Sequence, residues 1–407
     1  MVTRRTSIAS VDWILIAVIV ALLIFGLLAL YSVTLSSYIS DAFFTLQLRW
    51  LAIGLVVALL MYFIPYPIWQ KLAIVMMVLS LFALLVTVVF SKPSPDISGA
   101  PRELSEDARH LGSLLGLGNS VQPGVLARLV AVIYIAAWLS SKGEQLNRVT
   151  YGLLPFGVIV GLVGGLVVLQ PDLSTALLIV VTGVAMFFFA GGDPIQIFAS
   201  IVISGLTFGL LAWNLDYARG RLEAYIASLS DPSLMPYHVH RAVQAISEGG
   251  LFGVGLGAGR MKFGYLPVPH TDSIFAVIAE ETGLLGCLVV IGLFIVLAQR
   301  GYRITLGTPD SFGSLVAFGV TTMIVSEVLL NIAVMVGIFP PTGTALPFFS
   351  YGGTEMLITM AGMGLVLSVS RGRPKGDWDA TLDRWWRDGW ARISGARRRS
   401  SLARHRF

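Results

Sequence analysis

The chain has 407 residues, of which 56% are apolar and 13% charged, and its formal net charge is +5. Soluble globular domains carry about 25% charged residues, so the composition excludes a soluble fold. Eleven of the 28 Lys and Arg residues lie after Ser370, so the positive charge is concentrated in one tail.

Arg4 and Arg5 precede an apolar stretch, 13–33, that is too long for the hydrophobic part of a signal peptide and lacks a clear small-residue cleavage site. It reads as a retained first helix. In chain order, apolar runs occupy 11–33, 50–64, 72–90, 121–140, 153–169, 173–190, 195–215, 273–298, 312–338 and 349–369. Most have roughly the 17 to 25 residues needed to cross about 30 Å of hydrocarbon. The expected fold class is an all-α polytopic membrane protein with about ten transmembrane helices.

Short loops rich in Lys and Arg stay in the cytoplasm. Arg4, Arg5, Lys71, Lys142, Arg148, Arg300, Arg303 and the basic tail then put both termini inside. Two long polar segments, 91–120 and 216–272, face outward. The second is a large extracytoplasmic loop between helices 7 and 8, and external chemistry is expected in segments of that kind. Residues 1–370 form the membrane domain and 371–407 a basic cytoplasmic tail.

Trp13, Trp50, Trp69, Trp138 and Trp213 fall near helix ends, where indoles populate the interfacial belt. Gly161, Gly164 and Gly165 within one apolar run suggest close helix packing. Cys287, the single cysteine, reads as a packed core thiol and excludes an intramolecular disulfide. In the tail, Leu382, Trp386, Trp390 and Ile393 share a helical face, with Arg384, Arg387 and Arg392 elsewhere around it. That pattern, directly after an apolar segment, points to anionic membrane lipid and away from nucleic acid.

The segment with the most chemistry runs through 245–286. Glycines 249, 250, 253, 255, 257 and 259 prescribe an irregular backbone, which in a membrane protein must be buried in protein or face water. Arg260 and Lys262 follow, then His270, Thr271 and Asp272 at the entrance of a helix, with Glu280 and Glu281 inside it. Asp272 by itself is equally a helix N-cap and His270 a hydrogen-bonded interfacial side chain. Intramembrane carboxylates are costly and are functional candidates by default. The prolines 340, 341 and 347 exclude regular helix before Ser350, Tyr351 and Gly352, leaving a rigid loop or a cleft wall.

GGLFGVGLG followed by YLPVPHTDSIFAVIAEETG resembles the signature of the SEDS family (shape, elongation, division, sporulation) of bacterial cell-wall glycosyltransferases, the FtsW and RodA type. FGLLALYS at 25–32, QPDLSTA at 170–176 and NIAVMVGIFPPTGTALPFFSYGGT at 331–354 match in order, so the resemblance spans nearly the whole chain. It implies a lipid II polymerase at the outer face of the bacterial cytoplasmic membrane, in division or elongation. The acceptor sugar hydroxyl would attack an anomeric carbon and pyrophosphate would leave.

By that correspondence Asp272 is the catalytic carboxylate. Arg260, Lys262, Arg241, His270, Thr271, Glu280 and Ser350 are substrate-binding candidates, and Arg219 and Arg221 are further cations of the same loop. The resemblance also implies a class B penicillin-binding protein as partner. No dedicated metal motif is visible, although a divalent cation, Mg²⁺ or Mn²⁺, suits a carboxylate beside phosphates. A lipid II flippase and a non-catalytic scaffold for a transpeptidase are the alternatives.

The chain departs from the family pattern in three places. Where the family has Gln-Pro-Ser-Glu followed by Lys, this chain has Gln122, Pro123, Gly124, Val125 and Arg128, so an acid is missing. Of an Asn-Gly-Ala-Arg-Arg-Trp pattern only Gly99, Ala100 and Arg102 remain, and two glutamines are replaced by His238 and Arg241.

Overall fold

In the computed structural model, which describes residues 11–35, 42–90 and 122–371, each of the ten apolar runs carries a helix. The amino-terminal arginines, the segment 91–120 with Gly99, Ala100 and Arg102, and the basic tail lie outside the described residues. The helices of the apolar runs are α1 (Trp13–Thr34), α2 (Ala42–Phe63), α3 (Pro67–Phe90), α4 (Pro123–Lys142), α5 (Leu153–Val168), α6 (Leu173–Phe189), α7 (Pro194–Asn214), α10 (Ile274–Leu306), α11 (Ser311–Met335) and α12 (Gly353–Arg371). Eight are long and apolar enough to cross a membrane, while α5 and α6 are apolar but shorter, with 16 and 17 residues.

The 216–272 segment, expected as a loop, instead contains two polar helices, α8 (Asp216–Ser230) and α9 (Tyr237–Gly249). Their apolar residues recur at helical spacing without forming a long apolar run: α9 buries Val239, Ala242, Ala245 and Gly249 on one face. Among the described residues all regular structure is helical.

Helix starts follow local chemistry. The carboxylates of Asp12, Asp172, Asp193 and Asp310 accept from amides of the first turns of α1, α6, α7 and α11. Pro123 and Pro194 occupy first-turn positions, where their missing N–H is no loss. Asp12 also receives Arg300 at 2.7 Å, pinning the start of α1 to the far end of α10.

α2 begins well before the apolar run predicted from residue 50, because Gln47 turns inward. Its amide donates to the Ser350 carbonyl at 3.2 Å and its oxygen accepts from the Gly352 amide at 3.3 Å. Close helix contact is made by glycines other than those of α5. A Cβ on Gly364 would lie 2.3 Å from the Ala58 carbonyl oxygen, and one on Gly26 would lie 2.2 Å from that of Phe348. Gly161, Gly164 and Gly165 have open space where a Cβ would stand, which corrects the expectation that they pack a neighbour. Trp50 is likewise no belt residue: it is buried with its indole against Gly353. Cys287 is buried, as expected.

Candidate functional site

The site is built around a break in α10. Gly283 has φ +67°, outside the helical region, yet the helix continues on both sides. In an unbroken helix the amides of Leu284 and Leu285 would donate to the carbonyls of Glu280 and Glu281. Here they donate to Gly250 and Leu251 at 2.9 and 3.2 Å, and the released carbonyls accept from Val254 and Gly255, both at 3.0 Å. The glycine-rich loop therefore compensates for two missing helical hydrogen bonds, and no backbone group among these is orphaned. The fit requires glycine on both partners: a Cβ on Gly283 would lie 2.3 Å from the Gly253 nitrogen, and one on Gly253, at φ +78°, 2.2 Å from the Glu281 oxygen.

Two carboxylates at this break hold the loop. Glu280 accepts from the amides of Arg260 and Met261. Glu281 accepts from the Gly257 amide at 3.0 Å, from the Ser32 hydroxyl and from Lys262 Nζ at 2.7 Å. Lys262 also donates to the carbonyls of Ser32 and Gly257 at 3.0 and 2.9 Å. All three N–H bonds of the ammonium can thus be used inside the protein, and the side chain is fully buried. Lys262 would have to leave Glu281 to meet a phosphate. The end of α1, the glycine-rich loop and α10 join at this one point.

The turn that carries His270, Thr271 and Asp272 is held from a different side. The His270 carbonyl accepts from the Tyr351 amide at 2.7 Å, the Thr271 carbonyl from Ser350 Oγ at 2.7 Å, and the Asp272 carbonyl from Asn331 Nδ2 at 2.9 Å. Three consecutive carbonyls are thus fixed by the end of α11 and the irregular stretch 340–352. Asn331 uses its second N–H on the Thr344 carbonyl at 2.7 Å, so one side chain ties that stretch to the turn. Ser350 acts here through the backbone that it holds.

Asp272 is half-buried at the mouth of α10, whose N-cap is Ser273, so the N-cap position belongs to its neighbour. His270 lies against Phe43 with ring centroids 4.6 Å apart, and burial lowers its pKa.

The loop cations divide into distinct groups. Lys262 is paired internally and Arg219 pairs with Glu223 at 2.6 Å. Arg260 is exposed. Arg241 lies over the rings of Tyr237 and Tyr265, at 5.1 and 5.9 Å from their centroids, and donates to Gln244 Oε1 at 2.8 Å. Arg221 lies close enough to act on His238, the neighbour of Ser273, so Arg260, Arg241 and Arg221 are the loop's candidate cations for an anion arriving at this face. Among the described residues no three His, Cys, Asp or Glu side chains gather as a metal cluster.

Arg128, the cation of the segment lacking its expected acid, is buried and donates to Glu327 of α11 at 2.7 Å and to Glu355 of α12. The negative partners come from other helices.

Sequence reasoning did not single out Asn331, Ser32, Glu281 as a lysine partner, or His238 as a neighbour of Ser273. Asn331 and Ser32 stand within the matching segments 331–354 and 25–32, which was the available signal.

The family described as cell cycle protein, FtsW/RodA/SpoVE, matches residues 12–375. The stage V sporulation protein E of Bacillus subtilis (strain 168) is 35% identical over 378 residues, covering 91% of this chain and 99% of the relative. The probable peptidoglycan glycosyltransferase FtsW of Trichlorobacter lovleyi is 32% identical over 369 residues, covering 89% and 94%. Among solved structures, a chain of a peptidoglycan synthase complex that coordinates polymerization and crosslinking matches with a TM-score of 0.70 at 26% identity, and Thermus thermophilus RodA with 0.65 at 26%. Each covers 90% of this chain and 99% of the other.

Proposed function

This multi-pass membrane protein belongs to the FtsW/RodA/SpoVE family of cell cycle proteins, and from that premise we propose that it is a peptidoglycan glycosyltransferase. It polymerises lipid II at the outer face of the cytoplasmic membrane, in division or elongation, with both its termini inside. The observation that carries this reading is the fixation of three consecutive carbonyls around Asp272 by Tyr351, Ser350 and Asn331. A backbone held so closely keeps one carboxylate in place at the mouth of α10, as general base catalysis requires.

Asp272 takes the proton from the acceptor sugar hydroxyl. The hydroxyl oxygen forms its bond to the anomeric carbon of the donor while the bond from that carbon to the pyrophosphate oxygen breaks. The leaving group departs with the electron pair, and Arg260 and Arg241 offset its charge. Thr271 and His270 line the approach to the same turn. A divalent cation, Mg²⁺ or Mn²⁺, would find its protein carboxylate in Asp272 and would offset the charge of the substrate's phosphates. A class B penicillin-binding protein is the proposed partner, in line with the similarity to a chain of a peptidoglycan synthase complex. The tail's basic residues suit anionic lipid.

The test is purified protein with fluorescent lipid II, with and without a class B penicillin-binding protein, beside Asp272→Asn. Glycan ladders from the wild type and a loss of about 10²-fold or more in the folded variant are expected. Ladders of normal yield from Asp272→Asn would remove Asp272 as base. A folded wild type that makes none under either condition would overturn the polymerase reading in favour of a flippase or a scaffold.

A further inference from the structure

His238 Nε2 lies 2.6 Å from the Ser273 hydroxyl oxygen, and that oxygen lies 2.8 Å from the Pro267 carbonyl. A hydroxyl has one proton. The Pro267 oxygen can only accept, so the serine proton goes there, and Ser273 must accept from the imidazole. His238 is thereby fixed as the tautomer protonated on Nε2. The Ser273 side chain makes no cap hydrogen bond to α10.

Resting on the reading of Asp272 as the base, we propose that His238 is a positioning residue for Asp272, acting as an obligatory N–H donor to Ser273. The bond from Ser273 to Pro267 closes the 267–273 segment into a ring. Inside that ring the Thr271 amide donates to the Val268 carbonyl at 3.2 Å, with Val268 at φ +47°, a conformation that a β-branched residue adopts only under constraint. Asp272 belongs to this ring, directly beside Ser273. Asn331, Ser350 and Tyr351 hold the turn from the bundle, and His238 ties it to α9.

The departure at position 238 gains a physical meaning from this geometry. Both glutamine, which the family pattern has there, and an Nε2-protonated histidine present a nitrogen donor at the end of a side chain. The substitution preserves the donor while changing the side chain that carries it.

The experiment has two readouts. The first is the tautomer, read from a long-range ¹H–¹⁵N spectrum of ¹⁵N-histidine-labelled full-length protein, with the His238 signals assigned by their loss in His238→Gln. The Nε2-protonated pattern is expected at neutral pH; an Nδ1-protonated pattern overturns the proposal, whether or not the protein polymerises lipid II. The second is lipid II polymerisation. His238→Ala should lower kcat by about 10- to 100-fold with a much smaller change in KM, as small misplacements of a catalytic group do. His238→Glu should be at least as poor, while His238→Gln should restore most of the rate. Because His238 and Ser273 act as one unit, Ser273→Ala combined with His238→Ala should be no worse than either change alone. Additive losses, or a His238→Glu enzyme as active as His238→Gln, would sink the idea. If the wild type makes no glycan but shows the expected tautomer, the polymerase reading fails and the donor assignment stands.

Discussion

Lys262 and Glu281 meet as a fully buried ion pair, Nζ to Oε1 at 2.7 Å, between the glycine-rich loop and the broken helix that the loop completes. Removing one member of such a pair leaves a charge without partner or water and destabilises by about 3–5 kcal/mol. Lys262→Met should therefore lower the unfolding temperature strongly. Lys262→Met with Glu281→Gln, which leaves no buried charge, should recover part of the loss. Thermal unfolding followed by tryptophan fluorescence decides. A single variant as stable as the wild type would show that the pair opens to water.

The junction between loop and helix makes a sharper prediction about two glycines of the same helix. Gly283→Ala places a Cβ against the Gly253 nitrogen at a backbone angle that L residues avoid, so a loss of at least about 2 kcal/mol is expected. Gly292 has open space around its Cβ position, and Gly292→Ala should be neutral or stabilising by up to about 1 kcal/mol, since alanine is the better helix former. Cys287 is the chain's one cysteine and is buried in this helix, so its rate of labelling by a thiol reagent reports local opening. Gly283→Ala should speed the labelling and Gly292→Ala should not.

Both described histidines with a resolved shift have pKa values held below the ordinary 6.5. Burial is the main cause in each, and Arg221 adds repulsion at His238. The unfolded chain then binds protons that the folded chain refuses, so the stability from these groups is complete above about pH 6.5 and is lost as the pH falls below it. His270 faces Phe43 and Tyr351, neither of which can compensate an imidazolium charge fully. The expected outcome is a lower unfolding temperature at about pH 5 than at about pH 7.5, with a smaller difference in His270→Asn. An unchanged pH slope in that variant would show that carboxylates, and not His270, set the dependence.

The membrane helices were legible because lipid imposes long apolar runs, and the six glycines from 249 to 259 announced an irregular backbone. What the loop does was not legible. Gly283 reads as an ordinary helix glycine, and its break becomes evident only when the loop's amides arrive from thirty residues away. α8 and α9 were hidden because both are polar helices without a long apolar run. The beginning of α2 was hidden because Gln47 looks like a loop residue until Ser350 and Gly352 satisfy its amide. Asp272 stood out by its segment, whereas Asn331 and His238 matter only through atoms brought to them by tertiary contact.

The departure at Val125 can be tested by counting the charges around Arg128. Arg128 serves Glu327 and Glu355 from two other helices, and its planar guanidinium suits two carboxylates approaching from different directions better than an ammonium does. Arg128→Met leaves both carboxylates facing each other in the bundle and should destabilise by about 3–5 kcal/mol. Arg128→Lys keeps the charge without the fork and should fall between that variant and the wild type. Val125 is buried one helical turn before Arg128, so Val125→Glu adds a third carboxylate to one guanidinium and should destabilise despite matching the family pattern. Adding Glu355→Gln returns the count to two carboxylates and should shrink the loss. Unfolding temperatures in one detergent provide the comparison. If Val125→Glu is as stable as the wild type, the site accepts a third acid, and Glu327 and Glu355 do not replace the missing one.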